Sequence, residues 1–216
     1  ITPTNGTVLL DGENICKIRP GTLAKKIAVV PQNGYIPFPF SVLEVVMMGR
    51  APYITRFSRE SEKDVEIAYR AMEDIGITHL INRKVPDLSY GERQRVIIAR
   101  ALAQKPKILL LDEPISHLDP GYRTEIMNLF KALSRDIGVL AVLHDINLAS
   151  QYADRLIILK KGKKVSEGTP KEVITKKMLR DVYRVDAIIQ NHPLVNCPQM
   201  ISVPNFTRSP KKNGLL

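Results

Sequence analysis

Residues 107–143 read KILLLDEPISHLDPGYRTEIMNLFKALSRDIGVLAVL, and this stretch decides the fold. Ile108–Leu111 and Gly138–Leu143 are apolar throughout and of strand length, as strands covered on both faces tend to be. Between them Ile126, Leu129, Phe130 and Leu133 recur at i, i+3, i+4 and i+7, which predicts a helix with one apolar face over 120–135. Asp119 can cap that helix, and Pro120 suits its first turn. Strand, helix and buried strand in succession predict a parallel α/β sheet.

Working outward, Ile27–Val30 and Arg155–Leu159 add two more runs of strand length. Residues 7–15, TVLLDGENI, alternate about Asp11-Gly12, a hairpin-type turn that predicts a small antiparallel part. Residues 41–87 differ: VLEVVMMG and DVEIAYRAMEDIG are helix-periodic with no strand-like run between them, so an inserted helical subdomain is expected. From about Gly168 a short helix, Lys171–Tyr183, gives way to a tail rich in Pro and Asn. The expected organisation is 1–40 as the first part of the core, 41–87 as the helical subdomain, 88–168 as the rest of the core, and 169–216 as a C-terminal helix and tail. No internal repeat or low-complexity tract interrupts this plan.

The 216 residues, 44% hydrophobic and 25% charged, suit one large domain or a core with an inserted subdomain. No apolar run approaches the roughly 18 residues that cross a bilayer, and export is not expected, because the start lacks a basic-then-apolar pattern. Cys16 and Cys197 have no metal-like spacing and are expected to be buried or incidental thiols in a reducing compartment. The formal charge of +10 sits partly in Lys160, Lys161, Lys163, Lys164, Lys171, Lys176, Lys177, Lys211 and Lys212. No aromatic residues interleave them as a stacking platform would, so a solvated surface, or one facing anionic lipid, is expected rather than a nucleic-acid partner.

Polar chemistry follows three of the buried runs: Pro31-Gln32, Asp112-Glu113-Pro114 and His144-Asp145. In open parallel sheets ligands lie beyond the carboxyl ends of the strands, so three such ends together point to a site where one alone would be a loop. Asp112 has the form of a carboxylate that holds Mg²⁺, and Glu113 beside it that of a general base on water. The same pair fits a plain strand end before a turn at Pro114. Ser89 and Glu92 fit a capping box ahead of Val96, Ile97, Ala99 and Leu102. That is an ordinary helix start, or else an anion site where Gly91 lets backbone N–H groups approach a phosphate.

Taken jointly, these residues resemble the ABC-transporter ATPases. LSYGERQRVIIARAL (88–102) resembles the family signature with its helix, and KILLLDEP (107–114) its Walker B segment with the catalytic glutamate. SHLD (116–119) resembles the D-loop, His144 the switch histidine and Gln32 the Q-loop glutamine. The resemblance implies a P-loop NTPase core that binds ATP with Mg²⁺, in which two ATPase subunits clamp two ATP molecules head to tail. It implies that Ser89, Gly91 and Glu92 at the helix start serve the γ-phosphate held by the opposite subunit, and that Asp119 couples the two sites. It also gives Asp112 and Gln32 to Mg²⁺, Glu113 to the water and His144 to the γ-phosphate, with transmembrane permease subunits as partners at the cytoplasmic membrane face. VLEVVMMGRAPY, HDINLASQYADR and GTPKEVITKKMLRDVYRVDAII resemble importers of iron–siderophores, haem and cobalamin, whose cargo a substrate-binding protein delivers. Tyr90, Arg184 and Asn196 stand where such members often have Gly.

The pattern G-x-x-x-x-G-K-[ST], whose backbone N–H groups and lysine cradle phosphates, does not occur in the 216 residues. TPTNGTVLLDGENI resembles the segment that follows the P-loop helix, so truncation is the expected explanation, and the chain as written is expected neither to bind MgATP tightly nor to hydrolyse it. Two other functions share parts of these motifs. One is a soluble ABC-type ATPase of translation or DNA repair, disfavoured by the transporter-like length of the insertion between Gln32 and Ser89. The other is a non-catalytic regulator or basic binding module, which salt-sensitive nucleic-acid binding would favour.

Overall fold

Hydrogen bonding between three of the apolar runs builds the central sheet in the computed structural model of the chain, which describes residues 5–32, 34, 36, 38–55, 59–116 and 118–204. The chain divides into two units, Ile1–Val142 and Leu143–Leu216.

In the first unit β1 (Leu9–Leu10) and β2 (Glu13–Asn14) form an antiparallel pair about Asp11 and Gly12, both at positive φ. That is the geometry an Asp-Gly hairpin turn requires. A short helix α1 (Pro20–Ala24) leads to β3 (Ile27–Val30). The helical stretch comprises α2 (Val42–Met47), a 3₁₀ segment over Met48–Tyr53, α3 (Glu62–Asp74) and two 3₁₀ turns. Then follow α4 (Tyr90–Ala103), β4 (Ile108–Asp112), α5 (Pro120–Leu133) and β5 (Gly138–Val142). β4 is the middle strand, parallel to β3 and β5, with Val30 opposite Leu111 and Asp112 opposite Val142.

α4 packs against α2, α3 and β3. Its middle must therefore be apolar on successive sides, and Val96, Ile97, Ile98 and Ala99 in succession are fully buried. Its C-terminal carbonyls find partners in the 3₁₀ segment: Arg50 Nη1 donates to Ala103 O at 2.7 Å, and Tyr53 Oη to Gln104 O at 3.0 Å. These are groups a helix end otherwise leaves without a partner. Gly49 permits the approach, because a Cβ there would lie 2.2 Å from Arg100 O. Arg50 also donates Nε to Asp64 at 3.0 Å and stacks 4.0 Å over the Tyr53 ring.

The expectation that both sheet faces are covered is corrected. One face, with Ala28, Val30, Leu109 and Leu111, is buried. On the other, Val29, Leu140 and Val142 are 53%, 59% and 53% exposed. Apolar composition reports a strand's propensity, and only the neighbouring layer decides its burial.

The second unit holds α6 (Ile146–Tyr152), β6 (Leu156–Lys160) and β7 (Lys163–Gly168). The fourth apolar run is thus β6, and it pairs antiparallel with the charged strand β7 instead of extending the parallel sheet. Gly162, with Lys161, turns this hairpin. The helix expected over Lys171–Tyr183 is three pieces: α7 (Pro170–Val173), α8 (Lys176–Met178) and a π-type turn, Leu179–Tyr183. Ile174 is extended at ψ 90°, and Thr175 starts a new helix by accepting from Met178 N at 3.1 Å. The expected tail instead contains a hairpin, β8 (Ala187–Asn191) with β9 (Pro198–Ser202). Leu156, Ile158, Val173, Ile174, Met178 and Leu179 form this unit's core. Cys16 is exposed and Cys197 buried, both as free thiols. Lys160 donates to Asp181 O; Lys161, Lys163, Lys164, Lys171, Lys176 and Lys177 are exposed, while Lys211 and Lys212 lie outside the described residues.

Candidate functional site

Parallel neighbours end on the same edge of a sheet, so the residues after β3 and β4 must lie side by side. Gln32 follows β3 and its Nε2 donates to Glu113 Oε2 at 2.8 Å, across 81 positions of sequence. Asp112 is the exposed last residue of β4. Glu113 departs from ordinary backbone geometry, with φ of 48°. A non-glycine residue in that region costs about 1–2 kcal/mol, and such strain persists where the surroundings over-determine it. Here its N–H donates to Val142 O at 3.2 Å, and its C=O accepts from Ser116 N at 3.2 Å and Ser116 Oγ at 2.9 Å. The turn that ends β4 therefore fixes the Glu113 backbone on both sides and aims its carboxylate at the edge shared with Gln32.

The start of α4 is the capping box expected from Ser89 and Glu92. Glu92 Oε2 accepts from Ser89 N and Ser89 Oγ, each at 2.8 Å, and Glu92 N donates back to Ser89 Oγ at 3.3 Å. The Ser89 hydroxyl, then its N–H, hold the Glu92 carboxyl below the usual carboxylate range. The same arrangement recurs at Ser41–Glu44, Ser61–Asp64 and Thr169–Glu172, each acid lowered by its cap residue. The sequence carried these three as S-x-x-E, S-x-x-D and T-x-x-E patterns, a signal that periodicity alone passes over.

These shifts set an acid limit on stability. In each case the folded pKa lies below the unfolded one, so the unfolded chain binds more protons in the window between them. The contribution is complete above the ordinary carboxylate value near about 4 and is lost as pH falls through the lowered folded value. Melting temperature is expected to drop below about pH 4, and E92Q to drop less steeply there than wild type. Parallel curves for the two proteins would remove Glu92 from this role.

Asp119 caps α5, its Oδ1 accepting from Gly121 N at 3.0 Å and Tyr122 N at 3.2 Å. His117 of the SHLD segment lies outside the described residues. Gly91 is not required by its own chain: a Cβ there would meet only Leu118 Cδ2, at an ordinary 3.5 Å. The first unit therefore brings together Gln32, Asp112 and Glu113 at the sheet edge and holds Ser89, Gly91, Glu92 and Asp119 at helix starts. His144 belongs to the second unit, where it is exposed, and Asp145 after it caps α6 through Asn147 N at 2.9 Å and Leu148 N at 3.0 Å. The contribution of Tyr90 was not foreseen: its Oη donates to Gln32 O at 3.4 Å.

The donor set at the sheet edge is all hard oxygen, from Asp112, Glu113 and the Gln32 amide. Among the described residues no group of three His, Cys, Asp or Glu could hold a metal unaided. That combination fits Mg²⁺, which usually takes one or two carboxylates and completes its shell with phosphate oxygens and water.

Carboxylates and an amide at the end of a parallel sheet, beside a capped glycine-bearing helix start, fit the class of nucleotide-hydrolysing ATPase cores. The ABC transporter family model matches residues 1–116, and the chain belongs to that family. It is 39% identical over 203 residues to the ferric enterobactin transport ATP-binding protein FepC of Escherichia coli (strain K12), spanning 93% of this chain and 75% of that protein. It is also 39% identical over 209 residues to the hemin import ATP-binding protein HmuV of Hahella chejuensis (strain KCTC 2396), spanning 93% and 80%. Its structure resembles that of a metal-chelate type ABC transporter in an inward-facing conformation, with TM-score 0.78 and 29% identity over 85% of this chain and 75% of that one. The chain belongs among the ATP-binding subunits of ABC importers, a family whose enzymatic class is ATPase. No helix among the described residues is long and apolar enough to cross a membrane.

Proposed function

We propose that this chain, as part of a protein that also carries a phosphate-binding loop, energises import of an iron–siderophore, haem or cobalamin-type cargo by ATP hydrolysis at the cytoplasmic membrane face, and that these 216 residues alone are inactive. That protein works paired head to tail with a second ATPase subunit, on permease subunits that a substrate-binding protein loads. The 2.8 Å bond from Gln32 to Glu113 carries the hydrolytic part, because it joins the ends of two strands into one acid–amide pair. The names of the relatives support the cargo class.

In this scheme Asp112 and the Gln32 amide oxygen would hold Mg²⁺, which would supply positive charge against the phosphates of bound ATP. Glu113 takes the proton of the attacking water as general base. Gln32 keeps the Glu113 carboxylate turned toward that water through its Nε2. Ser89 and Gly91 present the N–H groups of the α4 start to the γ-phosphate on the partner subunit, where the helix dipole favours negative charge. Glu92 holds that start in shape by its bonds to Ser89. His144 holds the γ-phosphate and Asp119 links the two sites, both by family resemblance. Positioning and charge stabilisation do most of the work in such transfers.

The test is ATP-driven accumulation of labelled ferric siderophore, haem or cobalamin in vesicles bearing the assembled transporter, with G91A beside wild type. Wild type is expected to accumulate one of these cargoes. G91A has room within its own chain and a better helix former, so its melting temperature should hold or rise. Its uptake and ATP turnover should nevertheless fall at least about tenfold, because the added methyl meets an approaching phosphate. Uptake of none of the cargoes, or full activity in G91A, would refute the corresponding part.

A further inference from the structure

α4 carries more than the glycine-bearing motif at its start. Tyr90 Oη donates to the backbone carbonyl of Gln32 at 3.4 Å. Two turns further on, Ile97 presses on Gly34 of the same loop, where a Cβ would lie 2.5 Å from Ile97 Cγ1. Gln94, buried between them, donates Nε2 at 3.1 Å to the carbonyl of Pro114, the residue after Glu113. On the near side of the helix Gly91 faces Leu118, the residue before Asp119. One helix therefore touches the loop bearing Gln32, the exit of β4 bearing Glu113, and the loop that leads to Asp119. Tyr90 is the first residue of that helix and stands between Ser89 and Gly91 in sequence.

We propose that Tyr90 is a positioning residue that couples the two ATP sites of the paired enzyme. The inference rests on the functional reading given above. When Ser89 and Gly91 engage the nucleotide of the partner subunit, the first turn of α4 is fixed. Tyr90 Oη, carried on that turn, then holds the Gln32 carbonyl. Gln32 Nε2 in turn sets the carboxylate of Glu113 in the chain's own site. The relay is thus Tyr90 to the Gln32 backbone, and the Gln32 side chain to the base. Its first bond is long and correspondingly weak, so a shift of a few tenths of an ångström in the helix start makes or loses it. Gln94 and Ile97 provide the fixed points about which that shift is felt, since both are buried and packed on the same two loops. The surroundings also explain the residue type. Glycine at this position would keep the cap of Ser89 and Glu92 but would have no group to reach Gln32.

Y90F is the direct test, because it removes only the hydroxyl and leaves the ring and the Ser89–Glu92 cap in place. In the assembled transporter its melting temperature and its KM for ATP are expected to stay within error and within about twofold of wild type. Its kcat should fall about threefold to tenfold, the range for one weak hydrogen bond expressed in the transition state. The Hill coefficient for ATP should fall toward 1, a readout that a purely structural role would not move. Unchanged kcat and Hill coefficient in Y90F, with normal wild-type turnover, would overturn the coupling role alone. A lowered melting temperature with kcat reduced but the Hill coefficient intact would make Tyr90 a packing residue and overturn it as well. Absence of permease-dependent ATP turnover in wild type would sink the functional reading, and this proposal with it.

Discussion

In the complete transporter, whose ATPase subunit carries a phosphate-binding loop, Glu113→Gln is expected to lower ATP turnover by about 10²–10⁴-fold while nucleotide binding is retained, the range attributable to general-base help. The substitution keeps size and shape, and the amide oxygen of glutamine can still accept from Gln32 Nε2, so the sheet edge need not rearrange. Glutamine also tolerates the φ of 48° no worse than glutamate does, and the bonds that hold this backbone, to Val142 and Ser116, involve main-chain atoms of Glu113 only. What is lost is the capacity to take a proton. Single-turnover hydrolysis measured beside equilibrium nucleotide binding separates the two, because an interaction used only in the transition state lowers kcat without weakening binding. Turnover equal to wild type would move the base to another residue. Loss of binding as well would give Glu113 a part in holding the nucleotide.

Arg50→Ala is expected to destabilise the first unit by about 3 kcal/mol or more, the scale of stranding a buried charge partner. Arg50 is 5% exposed. Its guanidinium satisfies Asp64 at 3.0 Å and the orphan carbonyl of Ala103 at 2.7 Å, and it covers the ring of Tyr53. Truncation leaves a helix-end carbonyl and part of a carboxylate without partners, and opens a cavity between α3 and the end of α4. Asp64 keeps its bonds to Ser61, at 2.6 Å from the hydroxyl and 3.1 Å from the N–H, which sets the expectation toward the lower end of the range. Against a total stability of about 5–15 kcal/mol this is a large fraction. Urea unfolding of wild type, Arg50→Ala and Arg50→Lys measures it, with lysine expected to recover only part, since one ammonium cannot meet both the carbonyl and the carboxylate in the geometry of a planar fork. A difference below about 1 kcal/mol for Arg50→Ala would show that water replaces the guanidinium without cost.

Some of the second unit was invisible in sequence for identifiable reasons. β7, Lys163–Gly168, is so charged that it carries no apolar run, and it forms because β6 offers it an edge. β8 and β9 are joined by six residues with no Asn-Gly or Asp-Gly signal, and their connection is instead organised by His192 Nδ1, which accepts from Leu194 N and Val195 N. The break at Ile174 is set by the core around Val173, Ile174 and Met178, which no helix-periodic count contains.

By itself the sequence determined what depends on neighbours along the chain. The three strand cores, the Asp11-Gly12 hairpin, the Ser89–Glu92 capping box and the Asp119 cap of α5 all rest on residues within a few positions of one another, where propensity and side-chain reach suffice. The joint motif pattern was enough to name the family as well. Only the tertiary structure decided that Ala28, Val30, Leu109 and Leu111 are buried while Val29, Leu140 and Val142 are exposed, and that Arg50 closes the end of α4 from 53 residues away. It alone brought Gln32 onto Glu113 across 81 positions, and Tyr90 onto Gln32 across 58. Such pairings follow from which strand lies beside which and from the layer packed over them, and no local preference of the chain encodes either.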